Sequence, residues 1–167
     1  MSIRITRRAL LRATAVSSVG YWIGTQAVAA DSTSPNEKLN IAGIGVGGRG
    51  AADVNGVAGE NIIALCDVDE KQAEETYKEY ENVPKYRDFR KMLDKEKHVD
   101  AVCVSTPDHT HYVIGKSVIE HGKHIYLEKP LCRTIYETRK LTELARDAKV
   151  VTQMGTQGHA GEGIRLT

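Results

Sequence analysis

The chain lacks the cysteine pattern of a disulfide or zinc scaffold. Its three cysteines, Cys66, Cys103 and Cys132, are an odd number with no C-x-x-C spacing, so neither a disulfide framework nor a zinc ribbon follows. It also lacks a charge excess: 23 Lys and Arg stand against 22 Asp and Glu in 167 residues, a formal +1. That balance argues against a nucleic-acid-binding stripe and against a disordered acidic tail. No repeat at solenoid spacing and no low-complexity tract occurs. No apolar run reaches the about 20 residues that a membrane helix needs. What is left is a globular composition of one domain's length, 41% apolar with 15 glycines.

The near-neutral sum hides an asymmetry. Residues 1–30 contain no Asp or Glu and four arginines, Arg4, Arg7, Arg8 and Arg12. A weakly apolar run from Ala13 follows and ends in Ala27-Val28-Ala29-Ala30, small residues at the spacing a signal peptidase accepts. The stretch Thr6-Arg7-Arg8-Ala9-Leu10-Leu11-Arg12 resembles the twin-arginine export motif, departing from it by Ala9 and by an Arg in place of the common Lys. An ordinary Sec signal, a basic helix that only looks like a signal, and an uncleaved anchor are the alternatives these residues leave open. The expectation is a signal peptide over 1–30 and an exported, periplasmic chain that meets the membrane only through that signal. Without it, 19 basic and 22 acidic residues remain, a mildly acidic chain. Residues 31–38 are polar, with Ser32, Ser34 and Pro35, and read as a linker.

From Leu39 onward short apolar runs alternate with amphipathic stretches. Leu39–Ile44, Asn61–Cys66, Val99–Ser105, His124–Leu127 and Val150–Met154 read as strands, and Pro84-Lys85-Tyr86 as a short edge strand. Helices are expected over Ala51–Ala58, after an Asp69 cap with Gln72 three residues on, over Phe89–Leu93, and over Tyr112–His121 with Gly122 as a left-handed C-cap. Thr134 and Glu137 make a capping box for a last helix whose Leu141, Leu144, Ala145 and Ala148 share one face. Strand–helix alternation implies right-handed crossovers and a parallel sheet. The expected fold is α/β, a doubly wound parallel sheet of the Rossmann, dinucleotide-binding type over 39–157.

The turn after the first strand reads Gly43-Ile44-Gly45-Val46-Gly47-Gly48-Arg49-Gly50 and holds two overlapping G-x-G-x-x-G registers. The register Gly45, Gly47, Gly50 leaves Ile41, Ala42 and Ile44 to complete the strand. Gly45 then makes the tight turn, Gly47 lets the backbone approach a pyrophosphate, and Gly50 lets helix and strand pack closely. Asp67 ends the next strand 22 residues after Gly45. A carboxylate there accepts hydrogen bonds from an adenosine ribose and repels a 2′-phosphate. No Arg or Lys follows it until Lys71, so NAD is favoured over NADP.

Thr106-Pro107-Asp108-His109-Thr110-His111 leaves the carboxyl end of a strand, where ligands bind in an open α/β sheet. His109-x-His111 has no third or fourth ligand at an obvious spacing, so no metal is expected; Asp108 or Thr110 is expected to cap the helix that follows. Glu128-Lys129-Pro130 places a charged pair at another strand end. A lysine near a nicotinamide can stabilise a developing alkoxide or transfer a proton; a strand-end ion pair and turn is the competing reading.

Together, Gly45-Val46-Gly47-Gly48-Arg49-Gly50, Asp67, Thr106 to His111, Glu128-Lys129-Pro130 and Gly155-Thr156-Gln157 resemble the Gfo/Idh/MocA oxidoreductase family, across Leu39 to Gln157. The resemblance implies a cofactor site of Gly45, Val46, Gly47, Arg49, Gly50, Asp67, Thr106, Pro107, His111, Glu128 and Lys129. Asp67 would hold the adenosine ribose, Thr106 and His111 would line the cleft, and Lys129 would be catalytic beside the nicotinamide. It implies a cis Lys129–Pro130 peptide and hydride transfer between NAD and a sugar, polyol or cyclitol hydroxyl. Members continue into a C-terminal α/β substrate domain that often mediates oligomerisation; here residues 158–167 are expected to begin a truncated segment, with that domain absent and the chain alone inactive. An NAD-dependent glycosidase of the same family and a non-catalytic dinucleotide-binding module are the alternatives.

Overall fold

A computed structural model describes residues 38–160 and 162–165. The signal peptide expected over 1–30 and the polar segment 31–37 lie outside the described residues. Strands β1 (Asn40–Ile44), β2 (Asn61–Cys66), β3 (Lys85–Tyr86), β4 (Ala101–Val104), β5 (His124–Glu128) and β6 (Thr152–Gly155) form one sheet in the order β3-β2-β1-β4-β5-β6. Every pairing is parallel. Helices α1 (Arg49–Gly56), α2 (Glu74–Glu79), α3 (Phe89–Lys95), α4 (Asp108–Glu120) and α5 (Ile135–Ala148) connect the strands, and the short α6 (Gln157–Ala160) and α7 (Glu162–Arg165) follow β6. This is the doubly wound Rossmann arrangement.

The central strands are apolar on both faces because both faces are covered. One side packs Val54 of α1 and Ala73 ahead of α2 on Val46 and Leu65, with Tyr77 and Tyr80 leaning in. The other side is larger: Met92 and Leu93 of α3, Ile114, Val118 and Ile119 of α4 and Leu141 of α5 bury Ala42, Val102, Val104, Ile125 and Leu127. The capping box forms as its spacing demands: Thr134 Oγ1 accepts from Glu137 N at 3.2 Å, and Glu137 Oε2 accepts from Thr134 N at 3.0 Å. Gly122, at φ 70°, ends α4, with its N–H on the Ile119 carbonyl.

Three helix starts depart from the sequence pattern, each for a local reason. The loop reverses fully between Gly45 and Gly48, at φ 75° and 52°, so α1 begins at Arg49 and not at Ala51. Asp69 Oδ1 takes the N–H groups of Lys71 and Gln72, holding a separate turn, and α2 starts only at Glu74. Pro107, extended at ψ 144°, is itself the N-cap of α4, which begins at Asp108 with no side-chain cap. The expected cap from Asp108 or Thr110 is therefore not formed. The Thr110 hydroxyl instead lies 2.7 Å from the Pro107 carbonyl and 2.8 Å from Thr106 Oγ1.

The tightest constraint is at Gly50. A Cβ there would stand 1.7 Å from the Gly45 carbonyl oxygen, so no larger residue fits without moving the loop. Gly50→Ala is expected to cost about 1–3 kcal/mol or more of folding free energy in urea denaturation. Gly56→Ala, where a Cβ meets nothing within 4 Å, should be neutral or stabilising by up to about 1 kcal/mol. Equal midpoints for the two variants would contradict the close approach.

Candidate functional site

The sheet order reverses between β1 and β4, and the loops leaving the carboxyl ends of β1, β2 and β4 open a cleft there of about 560 Å³. Such a crevice is where open α/β sheets bind ligands. Gly45 and Gly47 line it from the glycine loop, Asp67 from the end of β2, and Thr106 and Pro107 from the end of β4. Gly45 donates its N–H to the Cys66 carbonyl at 2.8 Å. Gly47 backs onto the Gln72 carbonyl, 2.7 Å from where its Cβ would stand.

Asp67 ties these loops together. Its Oδ2 accepts from Val46 N at 2.8 Å and Gly47 N at 3.2 Å, and its Oδ1 accepts from Asp69 N at 2.9 Å. A carboxylate has about four acceptor positions, so one on Oδ1 is left toward the cleft. Beside it, α1 presents an N-terminus with no side-chain cap and no acid in its first turn. Gly50 donates its N–H to the Gly47 carbonyl at 3.0 Å, and no side chain occupies the positive dipole end, a setting that favours an anion.

Val46 serves this site through its backbone only. Its side chain is fully buried in the α1–α2 core, and its carbonyl accepts from Thr76 Oγ1 at 2.7 Å.

His111 does not line the cleft, which corrects the expectation for it. It is 1% exposed, with Nδ1 2.7 Å from the Pro130 carbonyl and Nε2 2.7 Å from the Thr106 carbonyl. A neutral imidazole donates to one of these and an imidazolium to both. The ring braces the turn after β4 against the turn after β5. It is a positioning residue, and neither nitrogen faces the neighbouring, exposed His109.

A second polar cluster lies at the carboxyl end of β5. Glu128 is 5% exposed; its Oε1 accepts from Arg49 Nε at 3.1 Å and from Gln157, and its Oε2 from Lys129 N at 3.0 Å. Arg49 also bonds Asp53, one turn on, at 2.7 Å. Ser105 Oγ lies 2.6 Å from the other Asp53 oxygen. Burial works to raise the Glu128 carboxyl, but the bonds from Lys129 N–H, Arg49 and Gln157 outweigh it and hold the group below its ordinary value. Asp53, 8% exposed, moves the other way: burial first, and then the nearby Glu128 charge, raise it. Two buried carboxylates thus share one guanidinium, with Asp53 the one that more readily keeps a proton. The Lys129–Pro130 peptide is cis, and the Lys129 side chain is exposed with no ion pair among the described residues.

Burial pushes the Cys66 thiol up to about 12 and Cys103 up to about 11, so neither is a nucleophile at neutral pH. Arg87, Phe89 and Arg90, at the β3–α3 junction, also form the cleft wall. Sequence reasoning overlooked them, because a two-residue edge strand gives no sign of what it stands beside.

A profile of the GFO_IDH_MocA oxidoreductase family, NAD-binding Rossmann fold, matches residues 38–156. The chain is 29% identical over 119 residues to inositol 2-dehydrogenase 1 of Saccharopolyspora erythraea, which covers 68% of this chain and 35% of that protein. It is 28% identical over 174 residues to a glycosyl hydrolase family 109 protein of Solibacter usitatus, covering 93% of this chain and 38% of that one. The crystal structure of GenD2 from gentamicin A biosynthesis, in complex with NAD, superposes with a TM-score of 0.66 at 25% identity, over 71% of this chain and 34% of that chain. The chain spans about a third of the length of the curated relatives it matches.

The carboxylate pair generates a pH prediction. A lowered folded value makes the Glu128 contribution fully present above the ordinary glutamate range, and it is lost as pH falls through the folded value. Asp53, raised, has the opposite sign: its contribution is fullest below the ordinary aspartate range and declines as pH rises through its folded value. Asp53→Asn removes that decline, so the melting temperature of the variant relative to the native chain should rise between pH 4 and pH 7. A difference that stays flat across that range would contradict the raised value.

Proposed function

The chain belongs to the Gfo/Idh/MocA oxidoreductase family as its NAD-binding Rossmann fold, and from that premise we propose that it is the cofactor-binding part of an exported, NAD-dependent oxidoreductase. The substrate class is a sugar, polyol or cyclitol hydroxyl. The observation that carries this reading is the cleft itself, where the glycine loop at Gly45 and Gly47 and a strand-end carboxylate with one acceptor position to spare line the same space.

The residues present fit a dinucleotide. Asp67 would hold the adenosine ribose, the start of α1 at Gly48 and Arg49 the diphosphate, with the side-chain-free Gly45 and Gly47 giving it room, and Thr106 and Pro107 the wall opposite. NAD, when bound, takes up or returns a hydride. Lys129, exposed at the end of β5 beside the braced Glu128, would move the proton of the substrate hydroxyl at its Nζ. Glu128, Arg49 and Gln157 fix the backbone that carries Lys129, and His111 fixes the Pro130 carbonyl beyond it. Export follows from the arginine-rich leader. A Rossmann domain can load its cofactor in the cytoplasm and cross folded by the twin-arginine route. Self-association, where the family's substrate domain is joined, completes the proposal.

A second reading is favoured by one specific observation. The likeness to the family 109 protein covers 93% of the chain, which carries it past residue 38 into the leader. An NAD-dependent glycosidase oxidises the sugar transiently, eliminates the aglycone as its alcohol, adds water to the unsaturated sugar so formed, and returns the hydride, so that the net reaction is hydrolysis.

Two measurements test these readings. Asp67→Ala should raise the NAD dissociation constant about tenfold or more in calorimetric titration, the loss expected for a charge-assisted hydrogen bond; an unchanged constant would remove Asp67 from the ribose. With the expressed gene product, net NADH formation from free polyols or sugars favours the dehydrogenase, and sugar release from an aryl glycoside without net NADH favours the glycosidase. In either case Lys129→Met should lower turnover by about 10²–10⁴-fold, and turnover within threefold of the native value would take Lys129 out of the chemistry.

A further inference from the structure

The adenosine end of the cleft carries a cation that the spacing around Asp67 conceals. β3 pairs with β2 through Leu65–Lys85 and Cys66–Tyr86, and Asp67 N donates to the Tyr86 carbonyl at 3.0 Å. Continuing that ladder by one residue sets Arg87 beside Asp67. Its guanidinium donates from Nη2 to the carbonyl of Val68, the residue after Asp67, at 3.2 Å. Arg87 and Val68 both line the cleft. Arg90, its guanidinium 4.6 Å from the centre of the Phe89 ring, stands one turn further along the same wall.

Arg87 is weakly committed where it is. Its ion pair to Glu70 is 3.9 Å long, with 73% and 66% of the two side chains exposed, a kind of contact worth little. A guanidinium in that setting is free to turn onto a phosphate, for which its forked donors are well matched. A ribose held on Asp67 has its 2′ position next to this carboxylate, and a phosphate there would meet the Asp67 charge on one side and Arg87 on the other.

We propose that Arg87 is a latent ligand for a ribose 2′-phosphate, kept out of use in the native chain by the neighbouring Asp67 charge. The inference rests on the placement of the adenosine ribose on Asp67. In the native chain the carboxylate repels the phosphate and the arginine contributes nothing to NAD. With the charge removed, Arg87 becomes the phosphate partner and the preference shifts toward NADP.

The test is calorimetric titration of the 167-residue chain with NAD and with NADP. Asp67→Asn removes the charge while keeping an oxygen to accept from Val46 N and Gly47 N. NADP affinity should rise about tenfold in Asp67→Asn, and Arg87→Ala added to it should abolish most of that gain while shifting the NAD constant less than about threefold. The NADP gain should also weaken with added salt, as a charge–charge contact does. A gain that survives Arg87→Ala overturns the role of Arg87 and leaves the ribose placement standing. Weakened NAD binding with no NADP gain overturns it as well. Unchanged constants for both nucleotides in Asp67→Asn overturn the ribose placement together with the inference. Asp67→Ser, with and without Arg87→Ala, gives the same comparison should the asparagine variant fail to fold.

Discussion

The carboxylate of Asp67 is shared between the fold and the site. It closes the end of β2 onto the N–H groups of Val46 and Gly47, and so holds the glycine loop in the shape that aims α1 at the cleft. The loop can take that shape only because Gly50 lets the first turn of α1 come against the Gly45 carbonyl. These contacts act together. The loop reversal brings two amides within reach of Asp67, and Asp67 in turn satisfies donors that the reversal leaves without secondary-structure partners. The acceptor position that remains on Oδ1 is therefore held in place by three internal hydrogen bonds to the same carboxylate.

The far end of the same edge is organised by buried charge. Glu128 and Asp53 would each be costly inside the protein alone. They are tolerated because Arg49 bridges them, while Ser105, Gln157 and the Lys129 N–H take up the remaining oxygens. Arg49 belongs to the glycine loop's helix and Glu128 to the strand that delivers Lys129, so the bridge ties the start of α1 to the turn after β5. His111 makes a second link from within, between the carbonyls of Thr106 and Pro130. The two braces leave the exposed Lys129 side chain as the member of that turn without an ion pair among the described residues.

Family membership gives this arrangement its chemical meaning, and the two named relatives mark the breadth of chemistry such a nucleotide domain serves. Inositol dehydrogenase and glycosyl hydrolase family 109 names both occur among relatives of similar identity. The cleft of the described residues lies at the carboxyl ends of β1, β2 and β4, where an open α/β sheet binds its ligand.

Periodicity and turn chemistry were enough to read six strands, five connecting helices, the capping box at Thr134 and the glycine end of α4, because each depends on residues within a few positions of one another. The glycine register and Asp67 were legible for the same reason, a fixed separation along one βαβ unit. Tertiary structure alone decided where the long-range groups went. His111 lies in the interior because two carbonyls from different loops converge on it, and no local spacing encodes that. Arg49 pairs with Glu128, 79 residues away, because parallel crossovers bring the ends of β1 and β5 to one edge. Arg87 reaches Val68 because β3 lies next to β2. Local sequence sets the conformation of each turn, but contact across loops is a property of sheet order, and sheet order exists only once the chain has packed.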